Sequence, residues 1–107
     1  MKDFYFDSEE DEIEFLKKNK WVIHSLIIDS VKKAYEENLE SVTVFRIINT
    51  VSGFVMSSEL KKGDWLDSLN KSMDYFESIE EYEKCTEIKE LIKNIKDDFD
   101  RTDKGEG

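Results

Sequence analysis

The chain has 107 residues, of which 38% are hydrophobic and 12% aromatic, enough apolar material for one compact core and too little for two. Its formal charge of -10, from 26 acidic against 16 basic side chains, opposes binding to phosphate backbones and anionic membrane surfaces. That leaves a protein partner as the expectation, one that is basic or itself handles nucleic acid, with no direct nucleic-acid ligand and no membrane.

Cys85 is the single cysteine and His24 the single histidine, so an intrachain disulfide and the usual zinc spacings are excluded. The sequence offers no catalytic, cofactor-binding or metal-binding constellation, and an enzyme is not expected. The first residues, MKDFYFDSEEDE, have neither the basic start nor the apolar run of a signal peptide, and no stretch nears the roughly 20 apolar residues of a membrane span. With a lone cysteine suited to reducing conditions, the expected location is the cytoplasm. The absence of Pro and the abundance of Lys, Ile, Asn and Glu fit an AT-rich genome, bacterial or phage.

In chain order, residues 1 to 10 form an acidic-aromatic lead. Phe4, Tyr5 and Phe6 precede the run Glu9 to Glu12 with no regular period, which leaves open a short strand, an arm docked on the body or a disordered lead. A single α+β domain is expected over residues 11 to 99. It opens with a long helix from about Asp11 to Glu37, in which Ile13, Leu16, Ile23, Leu26, Ile27, Val31, Ala34 and Tyr35 recur at three and four residue steps. Ser8 and Asp11 resemble a capping box, and Asn19-Lys20 interrupt the stripe at a point where the helix can break or kink.

After Asn38 to Ser41, the runs Val42 to Ile48 and Phe54 to Ser58 read as a β-hairpin around a turn containing Gly53. Alternation puts Thr43, Phe45 and Ile47 on one face and Val42, Val44, Arg46 and Ile48 on the other. Two strands alone are marginal, so they need the long helix as cover, a third strand from Phe4 to Phe6, or another chain. Asp64 is then placed as the N-cap of a helix with Trp65, Leu66, Leu69, Met73 and Phe76 on its apolar face. A second helix carries Tyr82, Cys85, Ile88, Leu91, Ile92 and Ile95. The two form an antiparallel helical hairpin over residues 65 to 97, and residues 100 to 107 read as a flexible tail.

Within this hairpin, Leu69 with Met73, the pair Tyr82-Glu83, the small residues Cys85 and Thr86, the pair Ile88-Lys89 and the aliphatics Ile92 and Ile95 follow one another at fixed spacing. This pattern, residues 69 to 95, resembles the UVR motif of the bacterial excision-repair helicase subunit and of several chaperone adaptors. Phe76-Glu77 stand where that motif has two alanines, and its Leu before the aromatic-Glu pair falls on Glu80, with Ile79 one residue earlier. The resemblance implies a helical hairpin whose turn mediates protein pairing, with a partner subunit or with itself, and assigns contact to Ile79, Tyr82 and Glu83.

Charge counting points to the same turn. Residues 64 to 100 hold five Lys against twelve acids, and Asp74, Glu77, Glu80, Glu81 and Glu83 follow one another without an intervening base. Such a run is ordinarily a solvated face, and it can also serve as an acidic surface that imitates phosphate spacing. The candidate partner-binding set is therefore Ile79, Tyr82, Glu83, Asp74, Glu77, Glu80 and Glu81. The leading expectation is a non-enzymatic interaction module, an adaptor or self-associating homo-oligomer working through the UVR-like hairpin. The alternative is a small acidic inhibitor, of the kind phages encode, that binds a nucleic-acid-handling host protein.

Overall fold

A computed structural model describes the backbone of residues 2 to 106 and the side chains of residues 2 to 99. The chain is α+β, with a three-stranded sheet and four helices, and its contacts group into two compact units, Met1–Lys62 and Gly63–Gly107.

The first unit starts with a strand, β1 (Lys2–Phe6), followed by helices α1 (Glu9–Lys18) and α2 (Lys20–Glu36) and strands β2 (Ser41–Asn49) and β3 (Val55–Lys61). The single long N-terminal helix expected from periodicity is thus two helices, and a strand precedes them. The break is chemical. Asn19 leaves helical geometry at φ -118°, ψ 37°, and both its backbone N–H and its side-chain amide donate to the Phe15 carbonyl at 2.9 Å. An Asn that competes for backbone acceptors in this way ends one helix, and its own carbonyl accepts from Ile23 N–H at 3.1 Å in the next. At the other end of α1, Ser8 Oγ accepts from Asp11 N–H at 3.2 Å, which is the Ser half of the capping box.

The sheet order is β1-β2-β3, with β1 parallel to β2 and β3 antiparallel to it. A parallel pair needs a long crossover, which α1 and α2 supply. The hairpin therefore gains both of the intramolecular supports that two strands require, a helix cover and a third strand drawn from the N-terminal lead. The Asp3 carboxylate accepts two bonds from its neighbour Arg46, Nε at 2.8 Å and Nη2 at 2.7 Å, and thereby marks the β1–β2 register. The Arg46 guanidinium, through these bonds, holds the Asp3 carboxyl below its ordinary pKa. At the far end of β1, Thr50 N–H donates to the Phe6 carbonyl at 2.9 Å and the Thr50 hydroxyl donates to Asp7.

The side chains of β2 do not alternate strictly between its two faces. The ladder shifts register between Thr43 and Phe45, so Val44 is an extra residue with no direct partner on β3. A bulge places two successive side chains on the same side, and both Val44 and Phe45 are buried, with Ile47 two residues on. Strict alternation puts Val44 on the opposite face, an expectation the bulge overturns. Around these three pack Phe4, Phe6, Leu16, Ile23, Leu26, Ile27 and Leu60. Phe15, absent from the expected stripe, stacks between Phe4 and Phe6 at centroid distances of 4.8 and 5.2 Å, while Ile13, placed in that stripe, is exposed.

The hairpin turn is set by Asn49 and Gly53. Asn49 Oδ1 accepts from the N–H groups of Val51 and Ser52, each at 2.9 Å, and the Asn49 carbonyl accepts from Gly53 N–H at 2.8 Å. Gly53 sits at φ +76°, a region that side-chain-bearing residues rarely adopt.

The second unit holds helices α3 (Trp65–Ser78) and α4 (Tyr82–Glu106). Trp65, Leu69, Ser72 and Phe76 are the buried residues of α3, and Cys85, Ile88, Leu91, Ile92 and Ile95 are buried on α4. Both sets recur at three and four residue steps, as two packed helices require. Asp64 stands at the N-cap of α3 as expected, but its side chain accepts no capping bond. The tail expected to be flexible, residues 100 to 107, lies beyond the described side chains, and Gly107 lies outside the described residues.

Candidate functional site

The expected partner-binding residues cluster where α3 turns into α4. Helix α3 ends in a Schellman motif: Glu81 N–H donates to the Phe76 carbonyl at 2.9 Å and Glu80 N–H to the Glu77 carbonyl at 3.1 Å. The residue in the left-handed position is Glu80, at φ +62°, where glycine is the usual occupant. Chain reversal takes only three residues, and Cys85 Sγ then lies 3.9 Å from the Met73 carbonyl, so α4 folds back alongside α3. Thr86 Oγ1 donates to the Tyr82 carbonyl at 3.1 Å in the first turn of α4.

The turn exposes every candidate. Ile79 is 42% and Tyr82 63% exposed, so neither closes the local core. Asp74, Glu77, Glu80, Glu81 and Glu83 are exposed as well. Two large apolar groups thus stand in water among five carboxylates.

Electrostatics divides those carboxylates. Glu81 and Glu83 lie at the N-terminal end of α4, whose backbone donors favour negative charge. Glu77 and Glu80 lie at the C-terminal end of α3, the negative end of the helix dipole, which disfavours further negative charge, and no basic residue occupies that last turn. Neither helix stability nor backbone geometry accounts for a Glu at position 80.

The residues carrying the UVR-like spacing take distinct places. Leu69, Cys85, Ile88, Ile92 and Ile95 are buried, Met73 is half-buried, and Thr86 and Lys89 face solvent with Tyr82 and Glu83. Phe76, which replaces one of the motif's small residues, is fully buried. No protein-family model, curated protein or solved structure matches the chain.

Among the described residues no three His, Cys, Asp or Glu side chains come together in a way that could hold a metal ion. No described helix is long and apolar enough to cross a membrane. Cys85 is buried and His24 is half-buried, its pKa pushed below the ordinary value first by burial and then by the Lys20 ammonium.

The expected partner-binding set leaves out a second surface. Phe54 and Met56, expected only as strand residues, are 69% and 45% exposed beside the hairpin turn. They line a groove of ≈ 360 Å³ together with Ile47, Asn49 and the α1 carboxylates Glu9 and Glu12. Its sequence signal was two large apolar residues directly after a tight turn, but which strands form the sheet edges cannot be read without the topology.

Proposed function

We propose that the α3–α4 turn is a protein-docking tip and that the chain is a non-enzymatic interaction module of the cytoplasm, an adaptor in the manner of UVR-like hairpins. The observation that carries this reading is the company Ile79 and Tyr82 keep. Both are exposed beside Glu77 and Glu80, two carboxylates held at the helix end that disfavours them. Such a patch matches a partner with an apolar pocket rimmed by Lys or Arg, whose charges relieve the repulsion at the tip. Pairing of two copies tip to tip would set five carboxylates against five, so a basic heterologous partner is favoured over self-association.

The same carboxylates support a second reading, an acidic inhibitor that fills a nucleic-acid-binding groove. The readings differ in which atoms hold the partner. Capture from native-host extract with wild-type protein and with the Ile79→Ala, Tyr82→Ala double variant tests them, with circular dichroism to verify the fold. Docking through the apolar pair predicts at least a tenfold loss of the captured partner in the variant and modest weakening between 50 and 300 mM salt. Full capture by the variant together with steep loss in salt establishes the mimic, and retention of every partner under both challenges rejects the tip altogether.

A further inference from the structure

The first unit carries a binding surface of its own, independent of the tip. Strand β3 is hydrogen-bonded on one side only, to β2, and is therefore a sheet edge. Within this unit α1 packs chiefly on β1 and α2 on β2; on β3 Leu60 still joins the core cluster, but Val55, Met56 and Ser57, nearest the turn, are exposed. Two directly paired residues show where the cover stops: Ile47 on β2 is 3% exposed and its partner Met56 on β3 is 45% exposed. The uncovered strip is the groove in which Phe54 and Met56 form the apolar wall and Glu9 and Glu12 the acidic one.

Open edges are normally blunted by proline, inward-pointing charge or a bulge on the edge strand itself. Here the charges, Glu59 and Lys61, sit at the far end, and the half nearest the groove reads Val55, Met56, Ser57, Ser58. The bulge is on β2 opposite Glu59 and Ser58, which leaves pairing from Val55 to Ser57 regular. An unguarded edge with a pocket beside it is the arrangement that receives an added strand, where backbone bonds supply affinity and alternate side chains enter the pocket.

The charge selects the occupant. The first turn of α1 holds Glu9, Glu10, Asp11 and Glu12, and their four charges outweigh the partial positive charge of the helix terminus. A second copy of the chain would bring its own acidic first turn to this groove, which disfavours edge-to-edge self-pairing. A lysine or arginine, by contrast, lays its aliphatic stem along Phe54 and Met56 and carries its cation to Glu9 and Glu12. We propose that β3 accepts an extended segment of a partner protein with basic residues at alternate positions, whose inward side chains fill this groove.

The probe is a fluorescein-labelled heptapeptide of alternating lysine and valine, followed by fluorescence anisotropy and by amide shifts of the 15N-labelled full chain. The proposal expects shifts concentrated on β3 and about fivefold weaker binding to the Glu9→Gln, Glu12→Gln variant, the loss of two exposed ion pairs. Removing the same charge from the other unit, with Glu77→Gln and Glu80→Gln, should change binding less than twofold. A peptide N-methylated at every second residue should not bind. Equal losses in the two charge variants would mean attraction to net charge alone and overturn the proposal. Undiminished binding of the methylated peptide, or no binding of the first, overturns it as well. The Ile79→Ala, Tyr82→Ala variant should bind the peptide like wild type, so failure of the tip leaves this result standing.

Discussion

His24 shows what a single half-buried titratable group contributes. Because burial and Lys20 hold its pKa below the ordinary value of 6.5, the folded chain keeps the imidazole neutral where the unfolded chain already takes up a proton. Its contribution is therefore complete above about pH 6.5 and is lost as the pH falls through that value toward the folded pKa. We expect urea midpoints to drop between pH 7 and pH 5, and the Glu, Asp and His contributions to be separable by substitution. His24→Gln should shrink the drop, and an unchanged drop would assign it to carboxylates instead. In the sequence His24 lies among the apolar residues Ile23, Leu26 and Ile27, and in the structure it is half-buried. The sequence could not supply the neighbouring Lys20 ammonium as a cause, since that depends on where the helix restarts.

Helix endings are the elements on which sequence and structure divide most clearly. The exit of α2 was legible, because Asn38 is a residue that tolerates the left-handed region, and it adopts φ +57° with Leu39 N–H bonded to the Ala34 carbonyl at 2.8 Å. The exit of α3 was legible only from the shift in apolar pattern, because Glu80 carries no such signal. Replacing Glu80 with Gly relieves a backbone conformation disfavoured for side-chain-bearing residues, at some entropic cost in the unfolded chain, and should raise the unfolding free energy by about 0.5–1 kcal/mol in urea titration. The same variant removes a carboxylate from the tip, so a gain in stability combined with weaker partner capture is the expected signature of a functional glutamate. Equal stability would show that the entropic cost of Gly in the unfolded chain offsets the relieved strain. The bulge at Val44 was invisible for a different reason: a run such as VTVFRII is apolar on both faces, and only pairing with β3 decides which residue is the extra one.

At the scale of the whole chain, composition and periodicity were enough for an α+β class with a C-terminal helical pair, and charge counting led to the turn that the structure leaves exposed. The missing part was topology. That the aromatic lead becomes a strand parallel to β2 depends on a partner more than forty residues away, and no local pattern encodes it. The bond between Arg46 and Asp3 spans 43 residues, whereas the hairpin closes within a single turn. Closing the longer loop costs about 2 kcal/mol more in chain entropy, so β2 and β3 should zip together first and β1 should arrive only once α1 and α2 have formed between them. Pulse-labelled hydrogen exchange during refolding should then protect amides of the β2–β3 ladder before those of Phe4 and Phe6, and simultaneous protection would refute this order. For that interval β2, the central strand of the finished sheet, stands at a margin, and its bonding groups are open to foreign strands until the chain's own first strand returns to cover them.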